Sequence, residues 1–90
     1  MHRKRTPVRC LLNDVADVNV ISQITALQCN LVRIDVPIST IEGFRGKKGY
    51  YYGTYKLCLQ IVDSIGVERI IEDVFFAIDL SSSDVLLGQL

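Results

Sequence analysis

The sequence is short of the devices by which small proteins usually hold a metal, a disulfide or a membrane. Its three cysteines, Cys10, Cys29 and Cys58, are widely spaced and form no CxxC pair. That excludes the common zinc patterns and reads as reduced thiols filling apolar space. Histidine occurs once, at His2, so a Cys/His nucleophile pair has nothing to be built from, and neither a metal nor a cofactor is expected. Ten Lys and Arg balance ten Asp and Glu, which leaves the chain as a whole without electrostatic bias toward nucleic acid or an anionic membrane. No apolar run nears the roughly 20 residues that span a bilayer. The charged start leads into only a short apolar segment, which does not read as a cleavable leader. With thiols odd in number, the expected setting is intracellular and cytoplasmic. The one basic cluster, His2, Arg3, Lys4 and Arg5, reads as a flexible arm over residues 1–7.

What is present is a folding composition. Of 90 residues, 49% are hydrophobic and 22% charged, which suits one small globular domain. A chain of this length buries only about 60–65% of its unfolded surface, so its own core is marginal. With metals and disulfides set aside, association with a second copy is the remaining support, and a homodimer is expected.

The patterning is mainly that of strands. Residues 8–12 are a short apolar run that meets a polar turn at Asn13 and Asp14, as a buried strand would. The apolar run resumes at Val18, and Ser22 is placed to cap a short helix through Leu27. Residues 31–36 alternate around Arg33 and Asp35 until Pro37 ends them. The stretch EGFRGKKG, residues 42–49, holds three glycines and three basic residues, and predicts a surface loop or hairpin tip. It has neither a GK[ST] ending nor a GxGxxG, so it is not a phosphate-binding loop. Tyr55, Leu57, Leu59 and Ile61 then alternate with Lys56, Cys58 and Gln60. After the turn DSIG, residues 67–80 alternate again, with Ile70, Val74, Phe76 and Ile78 assigned to one side, which predicts a long antiparallel hairpin. Asp63, Ser64 and Gly66 belong to that turn and not to a catalytic Asp-Ser-Gly. The four tyrosines, without a basic face around them, read as strand and loop packing and not as a platform for nucleic-acid bases. A last turn, residues 81–84, precedes the buried run Val85, Leu86, Leu87, Gly88.

Three stretches, in order and spacing, resemble one family. CLLNDVADVNVIS, residues 10–22, resembles the active-site segment of retroviral-type aspartic proteases, above all those of gypsy-type LTR retrotransposon polyproteins. There, two apolar residues precede Asp-Ser/Thr-Gly-Ala, an acidic residue, an apolar run and Ser. EGFRGKKGYYYGTYKLCLQIVDSIGVERI, residues 42–70, resembles the glycine-containing flap and the hairpin behind it. DVLLG, residues 84–88, resembles the second structural signature of the family. The resemblance covers residues 8–90 and implies an all-β fold: a small, closed, barrel-like retropepsin-like subunit with at most one short helix, which pairs about a two-fold axis. It implies a flap over residues 41–52, with Gly43, Gly46, Gly49, Tyr50, Tyr51 and Tyr52 closing on an extended peptide or polyprotein segment. It also implies structural roles beside the site for Ala16, Asp17, Leu87 and Gly88. The family continues after Gly88 into Pro, a short helix and a final strand; this sequence carries two residues beyond that glycine.

The chemistry implied is peptide hydrolysis by two aspartates, one per subunit, that share a proton across a water. Two carboxylates that close cannot both ionise, so one serves as base and the other as acid. Aligned without gaps, Asn13 falls on the catalytic Asp, Asp14 on the Ser/Thr and Val15 on the Gly. An amide has nearly the shape of a carboxyl but no proton equilibrium at ordinary pH. Asp14 points the other way in an extended segment, and Val15 resists the backbone geometry that a glycine permits. The sequence thus reads as a protease domain with a degenerate catalytic loop. The rival from another class is a non-catalytic peptide-binding or dimerisation module that uses the same groove by backbone pairing.

Overall fold

The structure is a computed structural model, and it describes residues 6–12, 18–47, 49–62, 64–81 and 83–88. Its elements are β1 (Cys10–Leu12), β2 (Val20–Ser22), α1 (Gln23–Gln28), α2 (Ile38–Lys47), β3 (Gly53–Val62), β4 (Glu68–Ile78) and β5 (Val85–Leu87). The strands form one mixed sheet in the order β1-β5-β2-β4-β3. β1 runs parallel to β5 and β2 parallel to β4, while β2–β5 and β3–β4 are antiparallel. The hairpin expected after residue 53 is present and pairs without interruption from Gly53↔Ala77 to Val62↔Glu68. Gly66 sits in its turn at φ 86°, a left-handed conformation that costs glycine little.

Two expectations of the architecture are corrected. The sheet is open and not a closed barrel. Its two edges are a strand of three residues and one of ten, which share too little length to close on each other with the tilt a barrel needs. The strand-rich character holds, and α1 is the short helix expected behind Ser22. The second helix, α2, occupies residues that the glycines had marked as a loop.

Side chains divide between the two faces. On one, Ile21, Tyr55, Leu59, Phe75, Ala77, Val85 and Leu87 form the main cluster, closed by Ala26 from α1. On the other, Val20 and Phe76 pack against Phe44 of α2, with Val18, Tyr51, Ile78 and Leu86 around them. Ile70, Val74, Phe76 and Ile78 share one side of β4 as expected, with Phe76 and Ile78 packed under α2, but the opposite side is apolar as well. Ile71, Phe75 and Ala77 face the main core, whereas Ile70 of the other set is 72% exposed. Phe75, Phe76 and Ala77 are buried in succession because both faces are covered there.

Local chemistry explains the helix ends. The Ser22 hydroxyl accepts from the Thr25 N–H at 3.5 Å, a long capping bond that meets one orphan donor of α1. Asn30 then takes φ 51°, a left-handed exit that asparagine tolerates. The extended residues 31–36 pair with β3 through a single bridge, Arg33↔Tyr55, so the half-exposed strand expected there is present in its shortest form. Pro37 starts the next element instead of only ending the last, since its carbonyl accepts from the N–H groups of Thr40 and Ile41. No helix among the described residues is long and apolar enough to cross a membrane.

Candidate functional site

β1 and β5 lie side by side in parallel register, Cys10↔Val85, Leu11↔Leu86 and Leu12↔Leu87. The chain leaves β1 at Leu12 and re-enters the described residues at Val18, beside the end of β5 that carries Gly88. Asn13, Asp14, Val15, Ala16 and Asp17, the loop on which the catalytic reading rests, lie outside the described residues. So do the basic residues 2–5 and Asp63 of the hairpin turn. What can be built is the frame that holds the loop.

Gly88 is the tightest point of that frame. It is buried, and a Cβ placed on it would stand 2.6 Å from the Val18 carbonyl oxygen and 2.9 Å from the Val18 nitrogen and carbonyl carbon. Only glycine allows two backbones this close. Leu87 beside it is fully buried in the main core. The Gly88 N–H donates to Asn19 Oδ1 at 2.8 Å, and Asn19 Nδ2 donates to Asp73 Oδ2 at 3.0 Å. The Asn19 carbonyl accepts from the Phe76 N–H at 3.0 Å. One asparagine therefore ties the end of β5 to two points on β4. Neither Asn19 nor Asp73 stands among the site residues expected from the sequence. The available signal was a polar amide inside the apolar run VNVI, which needs a partner once half-buried.

The opposite end of β5 carries a second polar knot. Asp84 accepts the Arg9 N–H through Oδ2 at 2.8 Å and the Thr25 hydroxyl through Oδ1 at 3.0 Å. Its carbonyl accepts from Ser22 N–H at 2.8 Å. These groups line a shallow cleft of about 360 Å³ with Gln28, Ser81 and Ser83. It stands four residues of strand, about 13 Å, from Gly88. That cleft therefore lies at the end of β5 away from the Leu12 and Val18 end.

The residues assigned to a flap are dispersed by face. Gly43 and Gly46 are exposed on α2, with nothing within 4 Å of a Cβ at either, and Gly49 turns the chain out of the helix at φ 84°. The hairpin tip expected here is corrected to a helix held by one side chain. Phe44 stacks on Phe76 with centroids 4.1 Å apart and meets the edge of Tyr51 at 5.4 Å. Tyr51 turns inward and packs against that cluster, as Val18 does. Tyr50 and Tyr52 turn outward and meet edge to face at 5.3 Å. The Tyr52 phenol donates to both Asp79 oxygens at 2.9 Å. That bond, then partial burial and the negative charge of Asp79, push the phenol above the ordinary tyrosine range.

The thiols remain separate, with Cys10 and Cys58 exposed and Cys29 half-buried, and partial burial raises the Cys10 thiol. Among the described residues no three His, Cys, Asp or Glu side chains cluster as metal ligands would. Compared with protein-family models, curated proteins and solved structures, the chain matches none.

Proposed function

We propose that the chain is a retropepsin-like aspartic endopeptidase domain of a retrotransposon-type polyprotein whose catalytic loop has been disabled at Asn13. The observation that carries the reading is the parallel register Leu12↔Leu87 together with the enforced glycine at 88. DVLLG then has a physical reason: buried Val85 and Leu87 anchor β5 in the core beside β1, and the glycine lets the chain return at Val18 without a clash. A loop framed this rigidly is what a pair of proton-sharing carboxylates requires, since their separation sets the raised affinity for the shared proton.

In that frame the loss is chemical. A water between two subunits is activated by a carboxylate that takes its proton, while the second carboxyl hands a proton to the peptide carbonyl. Asn13 supplies a donor and an acceptor but exchanges no proton, and two such amides in a homodimer orient a water without deprotonating it. In the family's arrangement the place that Asp14 takes faces its symmetry mate, where two like charges are costly unless one is protonated. The compartment proposed is the cytoplasm, in keeping with three unpaired thiols.

The test compares the natural chain with the triple variant Asn13→Asp, Asp14→Ser, Val15→Gly on a peptide library at mildly acid pH, with and without a pepstatin-type inhibitor. The natural chain is expected to cleave nothing, and the triple variant to cleave in an inhibitor-sensitive way. Cleavage by the natural chain that vanishes in Asp14→Asn would overturn the account. A folded triple variant without activity would favour the non-catalytic peptide-binding module instead.

A further inference from the structure

The β3–β4 hairpin is longer than the sheet behind it. Among the described residues only β2 pairs with the far side of β4, and only at Phe76–Ile78, so beyond Lys56 the sheet is two strands wide, with Leu59 and Ile71 still packed on the main core. On the outer edge of β3, Ile34 N–H donates to the Thr54 carbonyl, and Lys56 N–H donates to the Val32 carbonyl. These bonds fix which residues look outward. N–H and C=O of one residue share a side and alternate along a strand, so Cys58, Gln60 and Val62 must also present theirs outward. All three are exposed, and among the described residues none pairs with that edge beyond Lys56. Pairing along the hairpin is continuous, so no bulge turns the edge aside.

Such an edge is a template for another strand, and proteins ordinarily guard it with a charge, a proline or a bulge. Residues 57–62, LCLQIV, carry none of these. The open stretch is also symmetric. Its outward-facing residues, Cys58, Gln60 and Val62, run from beyond Lys56, already paired with residues 31–36, to the turn, so Gln60 is their midpoint. Val62 and Ile70, 58% and 72% exposed, lie on the same face beside that midpoint.

We propose that this edge is a self-association site, where two copies of the chain join β3 to β3 antiparallel about a two-fold axis at Gln60. Gln60 faces Gln60 of the second copy, Cys58 faces its Val62, and Leu59 faces its Ile61. Three outward N–H groups from each chain donate across the junction. A shift of two residues one way would drive residues 31–36 into the second copy. A shift the other way would set turn residues against the strand. A junction this narrow falls below the roughly 1,200 Å² of a standard interface, so the association is weak and concentration-dependent. It needs neither the catalytic loop nor the protease reading.

The experiment follows the weight-average mass by analytical ultracentrifugation from micromolar to near-millimolar chain, with amide exchange by NMR on the same samples. The mass is expected to rise about twofold across this range. The amides of Cys58, Gln60 and Val62 should slow about tenfold once nine chains in ten are paired, because exchange then proceeds only from the unpaired remainder. Those of Leu57, Leu59 and Ile61, already bonded to β4, should change little. Gln60→Pro removes only an outward N–H, and Gln60→Lys sets like charges face to face. Both should keep the circular dichroism of the natural chain and show no such rise. A mass that does not rise with concentration, or a rise indifferent to both Gln60 substitutions and without the alternating protection, would overturn the proposal.

Discussion

Substituting Gly88 by alanine tests the frame at its narrowest point. The added methyl would stand 2.6 Å from the Val18 oxygen and 2.9 Å from two further backbone atoms, where ordinary contact begins about 0.8 Å farther out. None of these atoms belongs to a flexible side chain, so relief must come from moving β5 against the chain at Val18. Overpacking of this kind costs about 1–3 kcal/mol, with backbone against backbone at the upper end. The movement also stretches the 2.8 Å bond from Gly88 N–H to Asn19, worth about 1 kcal/mol. A loss near 3 kcal/mol is a large share of the roughly 5–13 kcal/mol that a domain of this length holds. For a chain of this size it lowers Tm by about 12–24 °C. Thermal and urea denaturation followed by circular dichroism measure it, and the urea midpoint should fall with an unchanged slope. A Gly88→Ala variant that melts within about 3 °C of the natural chain would refute the close approach and the meaning given to DVLLG.

The other predictions concern the elements around that frame. Phe44→Ala removes the one buried side chain among those described in α2 and is expected to cost about 3–5 kcal/mol, with loss of helical dichroism near 222 nm, on the order of one ten-residue helix; an unchanged melt would show that α2 is held otherwise. Gly46→Ala, with open space around its Cβ, should stabilise the chain by up to about 1 kcal/mol, read as a raised urea midpoint. Asn19→Ala leaves the Gly88 N–H without its acceptor and should cost about 1–3 kcal/mol in the same assay. The Tyr52 phenol is held protonated above its ordinary range by Asp79, so its contribution is complete below the unfolded tyrosine pKa and is lost as pH rises through the raised folded value. Tyr52→Phe should therefore melt closer to the natural chain at strongly alkaline pH than at neutral pH, and a constant gap between the two would count against the Tyr52–Asp79 bond.

What the sequence made legible was local, and what it concealed was decided at a distance. Ser22 as a helix cap, the turn at Gly66 and the alternation of Tyr55, Leu57, Leu59 and Ile61 each follow from a few neighbouring residues, and each is found in place. DVLLG was legible as a buried strand, but its register beside Leu12 was not, because parallel pairing joins residues some seventy-five positions apart without any shared turn. α2 was misread for the same reason. Two glycines and no apolar stripe argue for a loop, and what overrides them is one ring, Phe44, stacked on Phe76 thirty-two residues later. A signal for that contact was present all the same. A strand with one wet face alternates strictly, whereas Phe75, Phe76 and Ala77 are three apolar residues in succession, as in strands covered on both sides. Such a run demands a second layer over Phe76. The candidates for supplying it were the aromatics between Pro37 and Gly53, and of these Phe44 and Tyr51 are the two that turn inward. The apolar succession in β4 thus states, before any coordinate is known, that the glycine-rich segment must come down onto the sheet.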